Sequence, residues 1–318
     1  MPTQVIVYVD PDVSGGAGNG TSWANAYSSL NAAEAAKNAD LTASDQCIEF
    51  HCGHNGASQT TPDTYASVDG WTTDSTRYIS ILTESADRHS GTWSTTKYRL
   101  ADPNTGTLTA LTVLESYTRL TGLQLSQTGT PASNGKHQLY VASATGLQVS
   151  HCLFRHHGNV TYPEGGIYFG GSSCVLYMWN CIVFNVIGTY GIRVDNYGGE
   201  VLNLYSCTVI GSATYGVRGA SSTTINAKNC YSGGFGSDYS SGGTLNLTTC
   251  ASADHTGTSS PDLHAIAVNT TNFTNVTAGS ENFALPAGSA LIGVGTTLTD
   301  DPPGSTALGV DIAGTTRS

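Results

Sequence analysis

Apolar and polar residues alternate along most of this chain in short runs that end at glycine, asparagine or serine. In the run LNLY at residues 202–205, the two leucines fall on one face of an extended chain and the asparagine on the other. Such alternation is typical of strands with one buried face. A helical period is seen at residues 28–38, where Leu30, Ala33 and Ala36 share one side. The pattern predicts an almost all-β protein with a short helix near its N-terminus.

The centre of the chain is repetitive. Five segments end in cysteine, and they are LQVSHC, LYMWNC, LNLYSC, INAKNC and LNLTTC, ending at Cys152, Cys181, Cys207, Cys230 and Cys250. The interval from one of these cysteines to the next shortens steadily towards the C-terminus. A second block lies between them as GGIYF, YGIRV and YGVRG, with evenly spaced central apolar residues Ile167, Ile192 and Val217. Repeats of this length without a helix predict a β-solenoid, in which stacked coils bury one continuous core.

The coils resemble the single-stranded right-handed parallel β-helix of the pectate-lyase-like superfamily. Both ends of the chain resemble those of uncharacterised bacterial and phage β-helix proteins, on the segments YVD with GNGTSWANAY (residues 8–27), ENFALPAGSALIGVGTTL (281–298) and ALGVDIAG (307–314). The closing segment departs from that pattern, because Leu291 stands where relatives usually have proline and Gly293-Val294 where they have Asp-Ala. The resemblance implies a right-handed parallel β-helix of roughly ten coils.

We expect one structural domain in three parts. Residues 1–44 form an N-terminal cap with a strand, a glycine-rich loop and the short helix, because the ends of a solenoid need covering. Residues 45–280 form the coils, and residues 281–318 form the closing segment.

The residue before each repeated cysteine is expected at a sharp corner between strands, and these residues are His151, Asn180, Ser206, Asn229 and Thr249. Asparagine tolerates the left-handed backbone of such a corner, and stacked amides can hydrogen-bond from coil to coil. The following thiols would then point inward as small apolar groups. We predict a structural ladder made of Asn180 and Asn229 beside the five cysteines.

Charge excludes several classes of protein. Only 11% of the residues are charged, and 12 Lys and Arg against 23 Asp and Glu leave a net charge of −11. No segment concentrates basic residues, so we expect no nucleic-acid partner. The apolar run at residues 5–9 is too short for a signal peptide or a membrane span. We expect no membrane partner, and the phage resemblance favours a virion or extracellular location.

Candidate catalytic residues are few. Pectate-lyase-like enzymes are described as using acidic calcium ligands with a basic residue nearby, and glycosidases need two carboxylates about 5–10 Å apart. The central coils contain four carboxylates, and they are Glu164, Asp195, Glu200 and Asp238. Arg218 stands one repeat after Arg193 and so should lie directly above it, near Asp195. Arg193, Asp195, Arg218 and Glu164 are therefore the candidates; alternatively, both arginines are solvated and Asp195 pairs locally.

Aromatic and histidine side chains supply the candidate ligand contacts. A row of Tyr168, Tyr190 and Tyr215 on a strand face could stack on sugar rings, although tyrosines also stack from coil to coil for structural reasons. The longest unit, HCLFRHHGNVTYPEGG at residues 151–166, predicts an extra loop that carries His156 and His157.

We expect no metal site. The cluster CIEFHCGH at residues 47–54 lacks a second pair of zinc ligands downstream, and the residues around His156 need not converge. Calcium at the acidic DPDV segment, residues 10–13, is the one cofactor that the sequence leaves open.

The scarcity of carboxylates favours a non-catalytic structural or glycan-contacting protein, associated with a virion or tail or with a cell surface. The partners left open are a polysaccharide or cell-surface glycan, a second copy of the chain, and other virion proteins. The alternative is a carbohydrate-active enzyme, a polysaccharide lyase or glycoside hydrolase, acting on an acidic polysaccharide.

Overall fold

A computed structural model shows the predicted right-handed parallel β-helix. Each coil runs through three parallel sheets, named here I, II and III in the order in which a coil visits them. The structure describes residues 1–102, 109–127, 137–142, 144–156, 165–171, 173–195, 198–256, 263–296 and 298.

Sheet I has nine strands, which agrees with the roughly ten coils predicted. Its strands are β1 (Thr3–Val9), β2 (Gln46–Cys52), β4 (Ile79–Thr83), β7 (Thr118–Thr121), β10 (Leu147–Ser150), β13 (Val175–Trp179), β16 (Val201–Tyr205), β19 (Thr224–Lys228) and β22 (Thr244–Thr248).

Sheets II and III have seven strands each among the described residues. Sheet II contains β5 (Leu100–Asp102), β8 (Gln124–Gln127), β11 (Leu153–His156), β14 (Ile182–Val186), β17 (Thr208–Gly211), β20 (Tyr231–Gly233) and β23 (Ala251–Ser252). Sheet III contains β3 (Ala66–Val68), β6 (Leu111–Val113), β9 (Leu139–Val141), β12 (Ile167–Phe169), β15 (Tyr190–Val194), β18 (Tyr215–Gly219) and β21 (Ser237–Ser241).

The core is one column of apolar side chains along the axis of the β-helix. Successive side chains of a strand point to opposite faces, so every second residue points inward. The parallel register stacks equivalent residues from coil to coil, as in the buried row Leu120, Val149, Met178, Leu204 and Ala227 of sheet I. The residues between them point outward and carry the surface chemistry of each sheet.

The corner between sheets I and II has a left-handed backbone at every repeated unit. His151, Asn180, Ser206, Asn229 and Thr249 have φ between 50° and 54°. The N–H groups of the first four corners bond the coil above, as from Asn180 to the carbonyl of Tyr205 at 3.1 Å.

The thiols that follow these corners are buried in one column of the core. The column is tied by weak sulfur contacts, for example from the Cys152 N–H to Sγ of Cys181 at 3.4 Å. All eight cysteines of the chain are buried, and none forms a disulfide bond within the described residues.

The N-terminal end of the core is covered by helix α1 (Leu30–Lys37), beside a single 3₁₀ turn (Trp23–Asn25) and the short helix α2 (Leu41–Ser44). Leu30 and Ala33 are fully buried, as predicted for the apolar side of this helix, whereas Ala36 is exposed and Glu34 is buried instead. The carboxylate of Asp63 accepts hydrogen bonds from the Leu30 N–H at 2.8 Å and the Tyr98 hydroxyl at 2.7 Å. Burial raises the pKa of Asp63 to about 6.

Residues 263–296 cover the outer face of sheet II. A second apolar cluster forms there between strand residues such as Ile182 and Tyr231 and the covering residues Phe273 and Phe283. This cover therefore begins upstream of residue 281. In the part of the chain that the structure describes, no helix has the length and apolar character needed to cross a membrane.

Candidate functional site

The outer face of sheet III carries a continuous group of aromatic and arginine side chains. Tyr140 on β9, Tyr168 on β12, Arg193 on β15 and Arg218 on β18 occupy one register position on four successive coils. They point outward because the residues on either side of each point into the core.

A second column runs beside the first. Tyr190 pairs with Tyr215 on the next coil, and their rings are stacked with centroids 5.6 Å apart and planes 12° apart. The residue after Tyr190 is Gly191, and a side chain would not fit there because a Cβ would lie 2.6 Å from the carbonyl oxygen of Gly216. We call the outward side chains of both columns the sheet III face, and they are Tyr140, Tyr168, Tyr190, Arg193, Tyr215 and Arg218.

The two guanidinium groups lie against the tyrosine rings. The guanidinium carbon of Arg193 is 5.1 Å from the Tyr168 ring centre and 4.8 Å from that of Tyr190. That of Arg218 is 4.1 Å from the Tyr215 ring centre and 6.0 Å from that of Tyr190. Cation–π contacts of this kind attract a guanidinium to the face of an aromatic ring and leave its N–H groups able to donate hydrogen bonds.

Asp195 lies directly after β15 and neutralises the first arginine. Its carboxylate accepts from Nη2 of Arg193 at 2.9 and 3.1 Å and from the Tyr168 hydroxyl at 2.6 Å. Burial alone would lower the pKa of Arg193, but the hydrogen bonds with Asp195 raise it above its ordinary value. Arg193 therefore stays charged and is fixed in place.

Arg218 has a different environment. Within the described residues, no carboxylate lies within ion-pair distance of its guanidinium. Among those residues, the face presents one neutralised and one unneutralised cation on consecutive coils of a strongly acidic protein.

Two residues were missed from the sequence: Tyr140, which belongs to the sheet III face, and His137, which is buried against it. Tyr140 stacks on Tyr168 at 5.5 Å, and the His137 ring stacks on Tyr168 at 4.8 Å. Burial lowers the pKa of His137 to about 4, so its ring is neutral at neutral pH. Aligning the segment LYV of β9 with IYF of β12, one coil later, could have revealed Tyr140.

The structure does not bring every predicted residue to this face. It joins Tyr168, Tyr190, Arg193, Asp195 and Arg218, together with Tyr215. His156 instead lies buried at the end of β11, where its Nδ1 is 3.2 Å from the side-chain amide of Gln138. His157 and Glu164 lie outside the described residues.

The other two central carboxylates are buried away from the face. Glu200 is 1% exposed and precedes β16 in sheet I. Asp238 is fully buried in the last coil, where it accepts hydrogen bonds from the N–H groups of Ala253 at 2.6 Å and Asp254 at 2.9 Å.

The histidines and acidic residues near the N-terminus are occupied by protein partners. His51 bridges Glu84 at 2.6 Å and Glu49 at 3.2 Å, and Nδ1 of His54 contacts Asp10 at 2.7 Å. Among the residues that the structure describes, no group of three His, Cys, Asp or Glu side chains could hold a metal ion.

Asp12, in the DPDV segment, is likewise committed to the protein. Its carboxylate accepts from the Thr61 N–H at 2.9 Å and the Thr60 hydroxyl at 3.0 Å. Although burial raises the pKa of Asp12, these hydrogen bonds dominate and lower it to about 2.

A separate cavity of about 540 Å³ lies between the corner residues and the cover of sheet II. Its lining is mainly apolar and includes Ile182, Tyr231, Phe273 and Leu291. This cavity is separate from the arginines of sheet III, because none of its lining residues belongs to the sheet III face.

Together the sheets and this face define a parallel β-helix protein with an aromatic and cationic surface on one side. No family model and no curated protein matches the chain. Among solved structures, it is similar to one described as the crystal structure of pectate lyase Pel9A, with a TM-score of 0.49 and 11% sequence identity, over 100% of this chain and 97% of that chain.

Proposed function

We propose that the protein binds an acidic polysaccharide along the sheet III face without cleaving it. The observation that supports this is the register of Arg193 and Arg218 on consecutive coils, interleaved with the rings of Tyr168, Tyr190 and Tyr215. Such a protein would meet its ligand outside the cell or on a virion, as expected from the sequence.

The chemistry of the face suits an acidic sugar polymer. The apolar faces of sugar rings stack on tyrosine rings, while tyrosine hydroxyls and guanidinium N–H groups bind the polar rim. A guanidinium matches a carboxylate or sulfate with two parallel hydrogen bonds. Since the molecule as a whole carries a net charge of −11, a local cation on an aromatic surface is a specific feature rather than part of a basic surface.

Binding is favoured over hydrolysis because the carboxylate on this face is already engaged. A glycosidase needs one carboxyl as an acid and a second as a base or nucleophile. Asp195 is held by Arg193 and Tyr168 at hydrogen-bonding distances, which leaves it poorly placed for either role. The second candidate function is a polysaccharide lyase, which the unneutralised Arg218 favours as a basic residue beside an acidic sugar.

Binding of polygalacturonate, alginate and hyaluronate to the whole protein, with dextran as the neutral control, tests the proposal. Arg218→Gln should weaken binding about ten- to hundredfold, because a charged hydrogen bond contributes about 1.5–3 kcal/mol. Arg119→Gln is the matched control, since Arg119 also stacks on a tyrosine ring, Tyr78 at 3.5 Å, but on sheet I.

Binding of none of the acidic polymers, or equal losses in the two variants, would refute the proposal. New unsaturated ends released by the wild-type protein, and abolished in Arg218→Gln, would instead establish the lyase. New reducing ends without unsaturation would establish a hydrolase and also refute non-catalytic binding.

A further inference from the structure

Resting on the proposed function, we further propose that Asp195 is a built-in competitor for the ligand's acidic group. It occupies Arg193, so that Arg218 alone selects an anion on the sheet III face. The ligand class is therefore a polymer that offers one acidic group to these two coils.

The contacts of Asp195 are those that a bound carboxylate would make. Both of its oxygens lie within 3.1 Å of Nη2 of Arg193, one of them also lies 3.3 Å from Nε of Arg193, and the Tyr168 hydroxyl is a third donor atom. Asp195 is also half-buried, with its side chain 19% exposed against 26% for Arg193. An incoming anion would have to displace this carboxylate before it reached Arg193.

The next coil provides the comparison. Asp195 stands two residues after Arg193, and the residue two positions after Arg218 is Ala220. The backbone N–H of Ala220 bonds the carbonyl of Val194, so Ala220 continues the ladder at the level where Asp195 lies one coil below. A methyl group thus replaces the carboxylate, and within the described residues no carboxylate competes with a ligand for the N–H groups of Arg218.

The same comparison predicts two variants that should change the affinity for the polymer in opposite directions. Asp195→Asn removes the competing charge at Arg193 and should tighten binding of polygalacturonate about two- to fivefold, the range expected for one partly exposed charge pair. Binding should also become more sensitive to salt, because a second cation takes part. Ala220→Asp places a carboxylate beside Arg218 and should weaken binding by a similar factor.

Two controls separate these effects from general ones. Asp45→Asn makes the same change in net charge at an arginine pair on another surface, where Asp45 lies 2.8 Å from Arg77. Ala220→Asn matches the size of the new aspartate without its charge. The unfolding midpoint of every variant is measured beside its affinity, so that a loss of folding is not mistaken for a loss of binding.

The results distinguish this inference from the proposed function. If wild type and Asp195→Asn both fail to bind any acidic polymer, the proposed function is wrong. If wild type binds through Arg218 but Asp195→Asn matches Asp45→Asn, or Ala220→Asp matches Ala220→Asn, the competitor role is wrong and the binding face stands. Should Asp195→Asn misfold, the pair at residue 220 decides alone.

Discussion

Single residues at the corners between sheets I and II decide whether a coil can close. Asn180 is 2% exposed and has φ of 53°, a conformation that costs most residues about 1–2 kcal/mol. Its side-chain Nδ2 also lies 3.1 Å from Nε2 of His151 on the coil below. Asparagine therefore has two roles here: it tolerates the left-handed backbone, and its side chain contacts the coil below.

Two substitutions at residue 180 separate these contributions. Asn180→Gly keeps the left-handed backbone but loses the amide, and we expect it to lower the free energy of unfolding by about 1–3 kcal/mol. Asn180→Ala loses both and should cost about 1 kcal/mol more than glycine. Denaturant unfolding of the three proteins measures the differences. Equal losses for alanine and glycine would show that backbone strain is not the reason for asparagine here.

At the scale of elements, the inward thiol column replaces the leucine that occupies the same position in an earlier coil, Leu123 after Gly122. The coils contain fewer residues towards the C-terminus, and a thiol fits into a smaller coil than leucine does because it is a small apolar group. Burial raises the pKa of Cys181 well above its ordinary value, so the reactive thiolate form of this residue is suppressed in the folded protein.

The burial of these thiols predicts their reactivity. In native buffer, we expect the eight cysteines to react with a disulfide reagent such as DTNB only at the rate at which the protein opens. In denaturant, all eight should react rapidly. Absorbance of the released thiolate gives the count in each case. Rapid stoichiometric labelling of the native protein would contradict the buried column.

The elements differ in how far the sequence predicted them. The coils were predictable because Cys152, Cys181 and Cys207 recur in a fixed relation to alternating strands, and the register of Arg193 with Arg218 followed from their separation by one repeat. The cover of sheet II was not, because residues 263–296 contain almost no regular secondary structure to produce a period. The contact between Tyr168 and Asp195 was also missed, since it joins two coils through side-chain direction rather than spacing.

At the scale of the whole molecule, carboxyl groups are buried near both ends of the solenoid. Asp63 lies under the N-terminal cap, and Asp238 lies in the last coil beside Asp254. Burial, together with the charge of Asp254, raises the pKa of Asp238 to about 7. Because the interior coils stack alike while the ends do not, we expect the ends to respond first to a change of pH.

The raised pKa values of Asp63 and Asp238 set the direction of that response. Between pH about 4 and 7 the folded protein holds protons on these groups that the unfolded chain has released, so their contribution to the free energy of unfolding falls as pH rises through this range. The buried ring of His137, whose pKa is lowered to about 4, contributes in the opposite direction, so the contribution of Asp238 is read from the difference between wild type and a variant. The slope is at most about 1.4 kcal/mol per pH unit for each group.

Asp238→Asn mimics the protonated acid and should flatten the upper part of the curve, while Asp45→Asn at the surface should not. Denaturant midpoints measured from pH 4 to 8 test this. A difference between wild type and Asp238→Asn that stays constant from pH 5 to 7 would show that Asp238 is ionised in the folded protein and that its burial is compensated by the N–H groups of Ala253 and Asp254.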